Sequence, residues 1–232
     1  MLKFYFHPTP NPLKVALFLE EAGLEYELVP IDTKKGEQHT PEYRRINPNG
    51  KLPAISDDGV NVFDSTAILL YLAEKTGKFL GKEKDRGELL SWLLFVASGL
   101  GPYSGQAVHF QHAAPEKIPY AINRYVFEAK RHFQILEEKI ADNEFFVGDS
   151  YSIVDISVWG WLNFAQFPLG EGVLAEEYPN LHRWFTAVSA RPAAVRAKNV
   201  GSDIDFKKEI DEEAQQALFP QNYQKTAEGY LE

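Results

Sequence analysis

The hydrophobic period of the chain changes once, near residue 80, and that change constrains the fold more than any other feature. Before it, segments of period two alternate with segments of helical period; beyond it, almost every patterned segment is helical. Leu2, Phe4 and Phe6 alternate with Lys3, Tyr5 and His7, which predicts a strand. Val15, Phe18, Leu19 and Ala22 then share one helical face, and Gly23 suits the position just past the helix end. Tyr26 to Ile31 predicts a second strand, completing a strand–helix–strand unit. The stretch DTKKGEQHTPEYRRINPNG is polar and broken by Pro and Gly, a long loop with one helical turn after Pro41. Lys51 to Ile55 and Val60 to Phe63, joined by a turn over Asp57 to Gly59, predict a hairpin. Asp64 and Ser65 precede a helix carrying Ile68, Leu69 and Leu72, which stops near Thr76-Gly77.

Gly81 to Glu88, GKEKDRGE, is a charged linker, and all four tryptophans lie beyond it. Ile122, Tyr125, Val126, Ala129, Phe133, Leu136 and Ile140 form one long helical stripe. Leu181, Trp184, Phe185 and Val188 form another, behind Pro179. The expected architecture is therefore α/β plus all-α: a βαβ-ββα domain over residues 1–80, an α-helical bundle over 86–200, and a polar, mildly acidic tail over 201–232.

Composition narrows the function classes. Of 232 residues, 44% are hydrophobic, enough for a sizeable core. Lys plus Arg number 24 and Asp plus Glu 33, so the net charge of −9 disfavours general nucleic-acid binding and docking on an anionic membrane. Zero cysteines exclude a disulfide framework, Cys-ligated zinc and a protein thiol nucleophile. The N-terminus lacks the apolar run of a signal peptide, and no stretch approaches the roughly 20 apolar residues of a membrane span, so a cytoplasmic protein is expected.

Several positions invite chemistry. Thr9 and Asn11 stand between Pro8, Pro10 and Pro12 at the mouth of a helix, where Asn11 suits a cap with Pro12 at the first helical position. Pro53 either marks an edge strand or opens a strand whose entry exposes backbone groups to a ligand, and spacing alone does not decide. Asp64-Ser65 suits a helix cap, and a helix N-terminus is also an anion site, so an acid beside a hydroxyl there can hold an amine and a carboxylate together. Ser152 to Asp155 has the form of a capping box. His109 and His112 have no third ligand nearby, so no metal is expected; they fit better beside a pocket with Tyr103 and Phe110. Lys34-Lys35 and Lys207-Lys208 are expected as solvated surface.

Three of these motifs together resemble the glutathione transferase superfamily: INPNGKLPAI (Ile46 to Ile55), FDSTAILLYLAEK (Phe63 to Lys75) and SIVDI (Ser152 to Ile156). The resemblance runs from residue 2 to about 198 and implies that the first domain is thioredoxin-like. YFHPTPNPLKVALFLEE and GLGPYSGQAVHFQHAAPEKIPYAINRY further resemble the Nu-class, or disulfide-bond reductase-like, members, a likeness extending to a fungal nitrogen regulator of the same fold. By that resemblance Thr9 and Asn11 face the sulfur of glutathione, where hydrogen-bond donors near a helix N-terminus favour the thiolate. Gln38 corresponds to a loop glutamine that contacts glutathione, and Lys51 to a lysine near its glycyl carboxylate. Leu52, set by a cis-Pro53, would pair its backbone with the cysteinyl backbone. Asp64 and Ser65 would take the γ-glutamyl end, and Arg124 would reach the site across a homodimer. Similar enzymes carry Glu at the position of Asp64, so that contact is expected to be longer or bridged by water. Tyr103, His109 and Phe110 are candidates for the acceptor wall. The implied activity is reduction of small disulfides by glutathione, reduced or oxidised glutathione being the bound species. The alternatives are conjugation to an electrophile, peroxide reduction, or a non-catalytic glutathione-binding dimer.

Overall fold

The computed structural model describes residues 1–223, 225–226 and 229–230. The first layer is built from β1 (Lys3–Phe6), α1 (Pro10–Ala22), β2 (Glu27–Pro30), α2 (Pro41–Ile46), β3 (Ala54–Asp57), β4 (Val60–Phe63) and α3 (Ser65–Thr76). The strands form one sheet in the order β2-β1-β3-β4. β1 runs parallel to β2, with Phe4 opposite Leu28, and antiparallel to β3, with Phe4 opposite Ile55. β3 and β4 pair as the expected hairpin, Ala54 opposite Phe63. This is the thioredoxin-like arrangement.

The period-two pattern of β1 is realised in part: Phe4 and Phe6 are buried and Lys3 is exposed, but Tyr5 is half-buried and His7, just past the strand, is buried. α1 departs from a one-sided helix, since residues 12–19 are all buried. It lies against α3 of its own layer and against two helices of the second domain, so little of its circumference meets water. Gly23 closes it in the left-handed conformation, φ 68°, with its N–H donating to the Leu19 carbonyl.

The second domain comprises α4 (Arg86–Phe95), α5 (Gly101–Val108), α6 (Pro119–Ile140), α7 (Ile153–Leu162), α8 (Gln166–Leu169), α9 (Val173–Glu177), α10 (Pro179–Ser189) and α11 (Pro192–Lys198). A π-helical turn at Val96–Leu100 joins α4 to α5, and a second follows at His109–Ala113. α7 is the hub of this domain: every one of its residues is buried, and it packs on α1, α3, α4 and α10. The capping box that starts it is formed, with Ser152 accepting from Val154 and Asp155 accepting from the Ser152 N–H.

Four local expectations change. α1 begins at Pro10, which makes Thr9 its cap residue and Asn11 its second helical residue; Thr9 makes no side-chain capping bond. The third strand begins at Ala54, not Lys51, because the Lys51 carbonyl is taken by the Tyr43 hydroxyl (2.7 Å) and Asn47 Nδ2 (2.6 Å) rather than by a ladder partner. Pro53, after a cis Leu52–Pro53 bond, stands just before an inner strand. The tail is patterned where it docks. Phe206 meets the His7 ring at 4.8 Å, Asp32 accepts from the Lys207 N–H at 2.8 Å, and α12 (Glu212–Leu218) packs on the 3-10 turn Thr33–Lys35. Lys207 is thus largely covered, its ammonium paired with Asp211 and Glu213, instead of lying on solvated surface. A short ladder pairs β5 (Lys225–Thr226) with β6 (Gly229–Tyr230); residues 224, 227–228 and 231–232 of the expected tail lie outside the described residues.

Candidate functional site

Two helix N-termini converge on one cavity. Asn11 from the start of α1 meets Lys51, Leu52 and Pro53 from the entry to β3, and Phe63, Asp64 and Ser65 from the start of α3; Asn47 and Asn49 complete a space of about 160 Å³. A second space of about 370 Å³ shares Asn11, Asn49, Lys51, Asp64 and Ser65, and extends beneath the helical domain to Lys14, Gly101, Gln106 and Trp161. Polar side chains from loops thus sit against a wall of packed helices, the usual composition of a small-molecule cleft.

The loop before β3 is pinned from within. Asn47 donates to the Lys51 carbonyl and accepts from the Asn49 N–H at 3.0 Å, and Tyr43 clamps the same carbonyl. The N–H and C=O of Leu52 take no hydrogen-bond partner among the described residues, so both remain available at the cavity wall. Asp64 holds a left-handed backbone, φ 71°, unusual for a residue with a side chain. Its Oδ1 accepts from the N–H groups of Thr66 (2.9 Å) and Ala67 (3.2 Å), so it caps α3 while lining the cavity.

At the mouth of α1, proline removes two of the first three backbone donors. Pro10 and Pro12 have no N–H, and Leu13 donates to the Thr9 carbonyl at 3.2 Å. The Asn11 N–H is left as the free donor of that first turn, where the helix dipole favours negative charge. The Asn11 Oδ1 accepts from the Ser65 hydroxyl at 3.5 Å, and Ser65 Oγ in turn accepts from Lys14 Nζ at 3.4 Å. Lys14 is fully buried, and burial pushes its ammonium down to about 7 against the opposing attraction of Asp64. Its stem crosses α7 at Gly160, where a Cβ would come within 2.4 Å of Lys14 Cγ and 2.7 Å of the Pro10 carbonyl oxygen. Its Nζ lies 5.9 Å from the centre of the Trp161 ring.

The structure brings together Asn11, Lys51, Leu52, Pro53, Asp64 and Ser65, and leaves the other expected site residues elsewhere. Thr9 lines a different cavity, of about 440 Å³, with His7, Lys34, Lys198 and Phe206, and its hydroxyl points to the His7 carbonyl. Gln38 is buried under the tail, its Nε2 donating to the carbonyls of Thr33 (3.2 Å) and Ala217 (3.0 Å). Arg124 is a half-exposed residue of α6, paired with Glu128 at 3.5 Å. Tyr103, His109 and Phe110 belong to an aromatic layer: Phe110 stacks on Tyr125 at 5.3 Å, Tyr103 meets His132 at 5.0 Å, and His109 meets Phe219 at 4.9 Å. Sequence reasoning missed Lys14 and Trp161. The signal for Lys14 was present: it stands four residues before Phe18 on the face expected to be buried.

Comparison with known proteins agrees with this geometry. The family "Glutathione S-transferase, N-terminal domain" matches residues 1–74, and "Glutathione S-transferase, C-terminal domain" matches residues 123–192. The chain is 45% identical over 205 residues to the disulfide-bond oxidoreductase YfcG of Escherichia coli (strain K12), covering 85% of this chain and 94% of that one. Among solved structures, a glutathione transferase family member from Pseudomonas fluorescens with two glutathione bound is similar at TM-score 0.80 and 35% identity, covering 85% of this chain and 92% of that one. The glutathione transferase URE2P6 of Phanerochaete chrysosporium, in complex with oxidized glutathione, is similar at TM-score 0.82 and 37% identity, covering 88% and 97%. The chain belongs to the glutathione S-transferase family, among its Nu-class-like members.

Proposed function

We propose that this protein reduces small disulfides with glutathione, using the glutathione thiolate held at Asn11. The observation that carries the reading is a cavity lined by hydrogen-bond donors at a helix N-terminus, in a chain with no cysteine of its own. The chain supplies the field and the ligand supplies the sulfur. The free Asn11 N–H and its side-chain amide are donors suited to a thiolate; Thr9 lines a different cavity, which favours Asn11 for the sulfur role. The free Leu52 N–H and C=O suit the cysteinyl backbone, Lys51 a glycyl carboxylate, Asp64 the γ-glutamyl amine, and the Ser65 backbone N–H, at the start of α3, the γ-glutamyl carboxylate. The Gln38 amide N–H groups are spent on the Thr33 and Ala217 carbonyls, and Gln38 takes no part in this reading.

The reaction balances without a protein thiol. One glutathione thiolate attacks a substrate disulfide sulfur; the S–S bond breaks and a thiolate leaves, forming a mixed disulfide. A second glutathione thiolate attacks the glutathione sulfur of that mixed disulfide and expels the other substrate thiolate. Two glutathione molecules are oxidised to glutathione disulfide, the substrate is reduced to two thiols, and the two protons come from the glutathione thiols. Neighbours holding two glutathione molecules, or their disulfide, support a site roomy enough for both partners. A compartment that keeps glutathione reduced, the cytoplasm, is where this reaction runs forward. The protein works as a homodimer, with Arg124 near the partner subunit.

The test is glutathione-dependent reduction of a small disulfide by wild type and Asn11→Ala. The expected result is turnover by wild type and a loss of about tenfold in kcat/KM, about 1.4 kcal/mol of barrier, in the variant. A wild type inert towards disulfides but active on electrophiles or peroxides would replace this reaction with conjugation or peroxide reduction. Binding without any turnover would leave a glutathione-binding module.

A further inference from the structure

Lys14 is the only lysine or arginine buried from solvent among the described residues, and it borders the cavity. No surface role accounts for a buried cation there. Its one hydrogen bond, long at 3.4 Å, goes to Ser65 Oγ, and the Ser65 hydroxyl stands 3.5 Å from Asn11 Oδ1, a contact that a small side-chain shift on ligand binding would tighten. An ammonium is a donor with no lone pair, so the direction of this chain is fixed from its buried end. Ser65 must accept from Lys14, and its hydroxyl hydrogen is then free to reach Asn11 Oδ1. A carboxamide whose oxygen is engaged presents its NH₂ end to the opposite side. Asn11 Nδ2 has no partner among the described residues, and an acceptor such as a thiolate needs that end.

We propose that Lys14 is a positioning residue for the thiol chemistry: acting through Ser65, its ammonium orients the Asn11 amide with the donor end toward the sulfur. This inference rests on the reading that a glutathione sulfur stands at Asn11. The surroundings suit a charge that must respond to one neighbour only. From α3, Asp64 is the charge that attracts it and Thr66 is neutral; from α7 come Gly160 and Trp161; from the π-helical turn and α5 come Val96, Ala97, Gly101, Pro102, Gly105 and Gln106, all uncharged; Lys51 is the other cation of the cavity. With its ammonium brought down to about 7, Lys14 changes charge in the range where glutathione works. Once neutral, its nitrogen offers a lone pair, the Ser65 hydroxyl can turn to it, and the hold on Asn11 Oδ1 is lost.

The thiol of bound glutathione reports on this directly, through the ultraviolet absorbance of its thiolate titrated against pH. In Lys14→Met the thiol titrates about one unit higher than in wild type, so about tenfold less thiolate forms at neutral pH. Asn11→Ala gives a similar rise, and the double variant rises no further, because both substitutions break one chain. Lys14→Arg, which keeps a donor-only cation, restores most of the wild-type titration. An unchanged titration in Lys14→Met, or shifts that add in the double variant, overturns the proposal. If Lys14→Met does not fold, the Asn11 side-chain amide resonances of the glutathione-bound wild type are followed with pH; they move with a midpoint near that of Lys14, and a flat profile overturns the proposal. Failure of the disulfide-reduction reading shows separately, as absent turnover with the titration intact; a protein that binds no glutathione sinks both.

Discussion

At the scale of single residues, Lys14 combines a stability cost with a functional gain. Its ammonium is out of water with one long hydrogen bond, one ring face and one nearby carboxylate to offset the lost hydration. In the folded chain it is pushed down to about 7, whereas its ordinary value is 10.5. Between those values the unfolded chain holds the proton and the folded chain does not, so wild-type stability climbs as pH rises from 7 to 10.5 and is insensitive to this group below 7. Lys14→Met, of similar length and without charge, removes that dependence. Urea denaturation at pH 7 and at pH 9 should show the variant more stable than wild type at pH 7, with the advantage shrinking at pH 9. An advantage equal at both values would mean that the lysine is not desolvated as the structure has it. The residue escaped sequence reasoning because a lysine inside an apolar stripe looks the same whether its tip escapes to water or stays buried. Only the absence of a side chain at Gly160, 146 positions away, makes room for the buried course.

At the scale of elements, α7 depends on its first turn. Asp155 accepts from the Ser152 N–H (2.9 Å), the Ser152 hydroxyl (3.1 Å), the Phe146 N–H (3.2 Å) and Trp184 Nε1 (3.2 Å). Burial pushes its carboxyl up to about 6, while the surrounding donors oppose that, so it is a carboxylate at neutral pH. Asp155→Ala leaves four donors without an acceptor in a dry interior. The expected loss is about 3 kcal/mol or more, read as a lowered urea midpoint, or failure to accumulate folded protein; a loss below about 1 kcal/mol would show that water replaces the carboxylate. The box was legible in SIVDI because both partners lie within one helical turn, and the hairpin and α3 were legible through period and turn residues for the same reason. The start of β3 was not, because the Lys51 carbonyl goes to Tyr43 and Asn47, in a loop with no period to read. The start of α1 slipped because three alternate prolines fit the first helical position equally well from sequence.

At the scale of the whole molecule, the expectations that moved furthest concern long-range contacts. Gln38 and His39 both bond the Ala217 carbonyl, from a tail helix nearly 180 residues away, and no local pattern announces that meeting. The acceptor-wall residues are likewise covered by distant partners: Tyr125 and His132 of α6 meet Tyr103 and Phe110, and Phe219 of the tail meets His109. Arg124 raises the remaining question of scale. It shares one face of α6 with Tyr120 and Phe127, four before and three after it, and those two aromatic side chains are 81% and 62% exposed. Leu94 on α4 and Phe63 beside the cavity are exposed as well. Large apolar side chains clustered on a helix face are an unfavourable surface for an isolated monomer and a suitable one for a two-fold contact. If that face is the subunit interface, burying Phe127 supplies part of the association energy, and a charge in its place must be desolvated against a copy of itself across the axis. Wild type is then expected to sediment as a dimer at micromolar concentration, and Phe127→Glu as a monomer. The variant should retain the wild-type helical content, since Phe127 is mostly exposed on its own subunit and lies outside the buried residues of α6. A wild type that is itself monomeric would remove the two-fold contact and, with it, any role for Arg124 at a partner's site.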